Sequence, residues 1–437
     1  MENNSLTVSS PDEILPPSRT TTLGNIGINV KASELCHKYK PVEASPCILR
    51  YAPFNGVLAI CTKMEKVHIV DIKNCKEPVE LKTPDGSLKY KNMALSPDGR
   101  VLALCDTENK ISVLNSAGGK PIFTAAADDN INTMAVSNDK KVAYAADNKL
   151  IMAFNDKTGV KTKQIKTNKT AWNFFDLEFD FCGEYLAVKY ESGELEVLNC
   201  KNFKEAAAMH FNDVYRGEQA DLSFSLSGNI ISARRNYIDI MNVLSGEYLP
   251  RHIISDRVTS CALSDDGLYC AVGTDTGEIR VINLSYSFDN NPVKIKISGS
   301  AVTEIFFNDI NQKIAAYCPG EGKFYFCDIR PARVAATFNI LESGFLWTAP
   351  PDAASSRSGW FWTDRPDLID ISYSGESEKI VQEKDAKDYF NNFNRRDIIF
   401  NKLKGKAGLA AAMLQIDRLN AALTGGNNGT EKLLEKL

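Results

Sequence analysis

Seven short apolar runs in the chain end on Asp or Asn, and they recur at an almost constant interval. The runs are VHIVDI, ISVLNS, IMAFND, LEVLNC, IDIMNV, IRVINL and FYFCDI. Their acidic or amide residues are Asp71, Asn115, Asn155, Asn199, Asn242, Asn283 and Asp328, and LIDISY puts Ser372 at the corresponding eighth place. The successive steps are 44, 40, 44, 43, 41, 45 and 44 residues. Such regularity over most of a 437-residue chain means that one structural unit is copied along it. Each copy must then bury its apolar face against the next.

The inside of a unit reads as strands. Ahead of each Asx-terminated run lies a second apolar run: GVLAICT, RVLALCD, KVAYAAD, YLAVKY, NIISARR, YCAVGT, KIAAYC and GWFWTDR. Most follow a strong turn signal, of which Ser96-Pro97-Asp98-Gly99 is the clearest. Proline presets φ there, aspartate bonds its own backbone, and glycine accepts a positive φ. Innermost strands fit at PCILRYA, YKNMALS, WNFFDLEFD, ADLSFSL, VTSCALS, VTEIFFN and GFLWTAP. Fourth strands fit between units, from EPVELKT to RVAATFN. A period of 40–45 residues with four strands per unit predicts an all-β propeller. The count favours eight blades, with seven as the alternative, and the eighth unit carries an unusually long turn, PPDAASSRS. GNIGINVK (24–31) or EKIVQEK (378–384) is expected to supply the last outer strand, the former by pairing the two chain ends.

The core S-P-D-G-x-x-L-A, followed by a strand ending in a hydrophobe and Asp or Asn, resembles the WD-repeat (WD40-like) family over roughly residues 40–385. The resemblance is divergent. Val, Leu, Phe, Leu, Met, Ile and Cys stand where the family has the tryptophan of its Trp-Asp pair, and His210 has no glycine before it. The side-chain network those residues would build is therefore expected to be missing from most blades, leaving apolar packing and Asx-capped turns.

Three regions follow: a disordered N-terminal segment over 1–22, the propeller over 23–384, and a helical C-terminal tail over 385–437. In the tail, Leu409, Met413, Ile416 and Leu423 recur at helical spacing, with Asn420 on the same seam. This pattern suits a helix docked on the propeller, a partner helix, or homo-oligomer formation through the tail. A net charge of -4 gives no reason to expect nucleic acid. The basic tail residues Arg395, Arg396, Lys402, Lys404 and Lys406 read as a solvated helix face. No signal-peptide pattern opens the chain and no run reaches the length of a membrane span, so a membrane partner is not expected and a cytoplasmic location is. Eleven cysteines without a C-x-x-C pair read as small buried hydrophobes, several of them on strands: Cys61, Cys105, Cys261, Cys270, Cys318 and Cys327.

A search for chemistry returns little. The four histidines, His37, His68, His210 and His252, show no metal-ligand spacing. There is no G-x-S-x-G elbow, P-loop or dinucleotide fingerprint. Catalytic residues, cofactors and metals are therefore expected to be none. The expected function is a non-catalytic protein-protein interaction scaffold or adaptor. Loops between second and third strands share one face, and RRNY (234–237) stands out among them. Arginine and tyrosine dominate interface energetics, and arginine forks onto carboxylate or phosphate. The candidate partner-binding residues are Arg234, Arg235, Tyr237, Trp172 and Arg365. Two alternatives stay open. One is a propeller enzyme acting on a sugar or small molecule, which requires a funnel lined by carboxylates from several blades. The other is a secreted effector that mimics host WD-repeat adaptors.

Overall fold

The computed structural model describes residues 48–349, apart from short connecting segments, and the backbone of the strands Thr20–Leu23, Ile26–Val30, Trp360–Thr363, Ile369–Tyr373 and Lys379–Ile380. Every helix or strand among the described residues is a strand. The tail expected over 385–437 lies outside them.

Seven antiparallel sheets form the ring, six of them built from four consecutive strands and the seventh from six. Their innermost strands are Ile48–Ala52, Tyr90–Leu95, Ile131–Val136, Phe174–Phe179, Gln219–Phe224, Val258–Leu263 and Glu304–Asn308. Residues of all seven line one central cavity of about 400 Å³. The middle strands are almost wholly buried, as Val101–Asp106 and Lys313–Cys318 show. This is the near-continuous apolar reading expected of strands covered on both faces. The six strand cysteines named above are all buried free thiols. Burial pushes Cys61, Cys270 and Cys318 up to about 12, so they act as hydrophobes.

The repeated turn chemistry is reused from blade to blade. In blades 2, 3 and 6 the hydroxyls of Ser96, Ser137 and Ser264 donate to Asp98, Asp139 and Asp266. The same hydroxyls accept the N–H of Val101, Lys141 and Tyr269 at 3.0, 3.0 and 2.9 Å. Blade 4 substitutes Asp180, whose carboxylate accepts from Tyr185 N at 2.7 Å. The last turn position is left-handed. Gly99 holds it in blade 2 (φ 72) and Lys140 in blade 3 (φ 70). Neighbouring turns are stitched around the ring. Asn55 Nδ2 donates to Asp98 O at 2.6 Å, Asn138 Oδ1 accepts from Asp98 N at 2.9 Å, and Asn138 Nδ2 donates to Phe181 O at 2.7 Å.

The periodic Asx residues do structural work. Asn115, Asn199 and Asn242 accept the N–H two residues on, from Ala117, Lys201 and Leu244, at 2.9, 2.9 and 3.0 Å. They cap the turn into the fourth strand. Asp328 instead pairs with Lys313 at 2.7 Å and Arg333 at 3.0 Å.

The ring has seven blades, which corrects the expected eight. The segment Gly344–Ala349, expected as an eighth innermost strand, pairs with Arg333–Leu341, the fourth strand of blade 7. Trp360–Thr363 pairs next, giving that sheet six strands. The reason is connection length. Elsewhere four to nine residues join a fourth strand to the next innermost strand, whereas residues 342 and 343 alone join these two. A two-residue link reverses the chain into a hairpin and cannot carry it inward to the axis. The third strand of the expected eighth unit, Ile369–Tyr373, joins a separate sheet with both candidate terminal strands. Ile26–Val30 pairs on one side and Lys379–Ile380 on the other. Thr20–Leu23 pairs outside Ile26–Val30.

Candidate functional site

Second-to-third turns and the loops entering innermost strands share the upper face of the ring, and backbone hydrogen bonds join them. Thr107 N donates to Lys89 O at 3.0 Å, Asp275 N to Arg257 O at 3.0 Å, and Val302 N to Thr274 O at 3.1 Å. In blade 5 the turn lies between Asn229–Arg234 and Tyr237–Asn242, so Arg235 and Asn236 form its tip. Arg235 is exposed and left-handed, with φ 47. Its carbonyl accepts from Val258 N at 2.5 Å, which ties the blade 5 turn to the strand entry of blade 6. Arg257, the preceding residue, is also exposed.

Tyr237 and Arg251 stand beside this tip. The Arg251 guanidinium lies 5.4 Å from the Tyr237 ring centroid. Its Nε donates to Asp239 at 2.6 Å, and Asp239 is 4% exposed. A buried carboxylate thus holds a half-exposed arginine over an aromatic ring, an arrangement that fixes both side chains. Next to it, Arg280 gathers the local acids. It pairs with Asp256, with Glu278 at 2.6 Å, and with the Ser255 hydroxyl at 2.8 Å. Blades 4 and 7 use other devices. Tyr190 donates to Glu196 at 2.7 Å. In blade 7, Glu321 accepts from Ser298 at 2.5 Å and from Tyr325. These blade-specific networks stand where the WD-repeat resemblance would place a uniform one.

The central cavity is the second polar concentration. Asp176 and Glu178 of blade 4, Glu304 of blade 7, Arg50 of blade 1 and Asp265 in a blade 6 turn all line it. Burial raises Asp176, against which Arg50 and Lys189 pull downward. Burial, with Asp176 adding to it, raises Glu178 well above the usual carboxylate range. Glu304 is pushed up to about 7 by burial, with Arg50 lowering and Asp176 raising it. Two of these carboxylates spend oxygens on the ring's own backbone. Asp176 accepts from Leu177 N at 2.9 Å, and Glu178 accepts from Phe224 N of blade 5 at 3.3 Å. Among the described residues no group of three or more His, Cys, Asp or Glu is placed to hold a metal. None of them forms a helix long and apolar enough to cross a membrane.

Of the residues singled out from sequence, Arg235 and Tyr237 meet at one hairpin. The backbone of Arg234 closes the preceding strand, and its side chain lies outside the described residues. Trp172 and Arg365 also lie outside them. Sequence reasoning missed Arg257, because loops entering innermost strands carry no repeat signature, and Arg251, which stands immediately before the fourth strand His252–Ile253 of blade 5. It also missed Asp176, Glu178 and Glu304. The available signal was charge at alternate positions of otherwise apolar innermost strands, FFDLEF and EIFFN.

The chain is a WD40-like propeller. Residues 49–139 match the family model of the anaphase-promoting complex subunit 4 WD40 domain. A crystal structure of the Cps50 (Swd1) β-propeller domain from Myceliophteria thermophila matches with a TM-score of 0.53 at 12% identity. That match covers 65% of this chain and 96% of the other, and at this identity the likeness is one of fold. No curated protein matches the sequence.

Proposed function

We propose that this WD40-like propeller is a non-catalytic protein-interaction scaffold that receives a protein partner on its upper face at blades 5 and 6. The observation that carries the reading is the Arg235–Tyr237 hairpin, bonded through its backbone to the strand entry that bears Arg257. A rigid ring of antiparallel sheets holds that hairpin in place, so a partner meets arginine and tyrosine side chains already ordered, at small entropic cost. In the cavity, Asp176 and Glu178 hydrogen-bond innermost-strand backbone and so help to hold blades 4 and 5 together. Arg234, Trp172 and Arg365 are assigned to the same face, and the chain beyond residue 384 to docking or assembly. The family model that matches residues 49–139, blades 1 and 2 with the innermost strand of blade 3, bears the name of a subunit of a multiprotein complex, in keeping with a scaffold. A cytoplasmic location is part of the proposal.

The test is affinity capture with the full chain beside a double variant, Arg234→Ala with Arg235→Ala, and a chain ending at Gly375. The double variant is expected to lose the partner while melting within about 2 °C of the parent, because surface substitutions rarely exceed ~0.5 kcal/mol. Partners lost only from the shortened chain belong to the tail. Capture that survives the double substitution removes this face from the proposal.

A further inference from the structure

The geometry points to a second binding site on the lower face of the ring, in a pocket between blades 2 and 3 that takes a phosphate-bearing ligand. The phosphate lies among Arg100, Lys120 and Lys140, and the apolar part of the ligand against Val101, Pro121 and Ile122. The site is independent of the partner face proposed at blades 5 and 6. Three observations carry it. The first is the pocket itself, about 340 Å³ in volume and lined by those six residues together with Asp98, Asn115 and Asn138. That volume suits a small ligand or a single modified side chain. Backbone pairing gathers the lining in blade 2. Val101 is the register partner of Asn115, Ser116 N donates to Arg100 O at 3.0 Å, and Asn115 N donates to Lys120 O at 2.9 Å. Across the blade boundary Asn138 accepts from Asp98 N at 2.9 Å, and Lys140 follows two residues later in the same turn.

The second observation is charge. The lining holds three cations and one carboxylate, an excess of two positive charges. The carboxylate, Asp98, is engaged: one oxygen accepts from Ser96 Oγ at 2.6 Å and Arg100 N at 3.0 Å, and the other lies 3.8 Å from Arg100 Nε. Asp139, beside Lys140, is taken by Lys141 at 2.6 Å. Lys120 and Lys140 are exposed, and neither forms a salt bridge among the described residues. A phosphate monoester carries about two negative charges and matches that excess, where a carboxylate supplies one.

The third observation is a comparison among blades. The left-handed place in the first-to-second turn is glycine in blades 1, 2, 4, 5 and 6: Gly56, Gly99, Gly183, Gly228 and Gly267. Blade 3 puts Lys140 there at φ 70, against the backbone preference of any residue with a Cβ. What the lysine adds at a place five blades leave bare is a cation at this pocket. Blade 4 shows the balanced alternative. Cys200 N donates to Glu184 O at 2.8 Å, as Ser116 N does to Arg100 O, so Glu184 stands where blade 2 has Arg100. Glu184 pairs with Lys201 of its own blade at 2.6 Å. Arginine at that place reverses the sign, and blade 2 gathers positive charge where blade 4 neutralises it.

The test is calorimetric titration of the full chain with phenyl phosphate, inorganic phosphate, benzoate and phenol. Phenyl phosphate should bind more tightly than inorganic phosphate, and benzoate and phenol should bind least. Arg100→Glu, which copies blade 4, should weaken phenyl phosphate at least about tenfold. Lys140→Gly should weaken it about threefold or more with an unchanged or higher melting temperature, since glycine takes the left-handed backbone freely. Lys201→Ala, in blade 4, should bind as the parent does. A phosphotyrosine peptide that displaces phenyl phosphate assigns the group to a phosphorylated segment, and one that does not assigns it to a free small molecule. The inference is overturned if phenyl phosphate does not bind, if benzoate binds as tightly, or if Arg100→Glu and Lys140→Gly, both folded by their melting curves, bind as the parent does.

Discussion

Between blades 2 and 3 the core is small and largely aliphatic: Ala94, Val101, Ala103, Cys105, Val113, Met134, Val136 and Val142, with Tyr144 as its largest member. Between blades 7 and 1 it is aromatic, with Tyr51, Tyr317, Phe324, Phe326, Phe338, Phe345 and Trp347 in one cluster. Phe338 and Phe326 lie 4.4 and 5.3 Å from the Trp347 ring, and Tyr51 meets Phe306 at 5.1 Å. The connections explain the difference. Residues 127–130 tether blade 3 directly to blade 2, whereas blades 7 and 1 are consecutive in space and far apart in sequence. Neither blade lends the other a strand, so side chains make this closure within the seven sheets. For a flexible chain, closing the longer loop costs on the order of 4 kcal/mol more than closing the short one. One or two additional buried aromatic side chains offset that, at roughly 1.5–3 kcal/mol each. The strand Gly344–Ala349, displaced from its expected place at the axis, brings Phe345 and Trp347 to this seam.

The comparison can be broken most directly at Trp347. Trp347→Ala should cost about 3–5 kcal/mol in denaturant unfolding, against about 2 kcal/mol for Val142→Ala at the blade 2–3 interface. Equal losses would remove the distinction between the two interfaces. The next largest effect is a pH dependence on the polar side of the same seam. Glu304 holds its proton up to about pH 7 in the folded chain, while an unfolded glutamate releases it near 4.5. A raised folded value means that stability is highest below about 4.5 and is lost as pH rises through about 7. Asp176 and Glu178 shift in the same direction. The melting temperature should therefore fall from pH 5 to pH 8, and Glu304→Gln should flatten that slope, gaining on the order of 1–3 kcal/mol at pH 8. An unaltered slope in the variant would assign the pH dependence to other groups.

Smaller effects test whether ordinary blades act independently. Ser96→Ala and Ser264→Ala each remove the acceptor for a buried-strand N–H and should each cost about 1 kcal/mol. They lie in separate blades, so the double variant should sum to within about 0.5 kcal/mol, and a larger departure would show coupling through the ring. Lys140→Gly should stabilise by roughly 0.5 kcal/mol, because glycine relieves the left-handed backbone at φ 70 while losing more chain entropy on folding. Thermal unfolding of the pair of proteins checks the sign.

How far the fold can be read from the sequence differs by feature. The strands of seven blades, their turns and the capping role of Asn115, Asn199 and Asn242 follow from local chemistry, since each depends on residues within one hairpin. The eighth unit misled because LIDISY keeps the 44-residue step although its sheet lies elsewhere. The informative signal was the two-residue link at 342 and 343, which periodicity ignores. At the candidate site, the RRNY turn was visible as composition. Its neighbour Arg257 was not, because the two are brought together by a hydrogen bond between blades, from Val258 N to Arg235 O.

Local pattern alone determined that this chain makes repeated antiparallel sheets with Asx-capped turns, because a β-hairpin is specified by side chains a few residues apart. Only the tertiary structure decided that seven of those sheets close, that an aromatic seam closes them, and which carboxylates and arginines face one another. Those outcomes depend on contacts between residues some 250 positions apart, such as Tyr51 with Phe306, and hairpin chemistry contains no term for them.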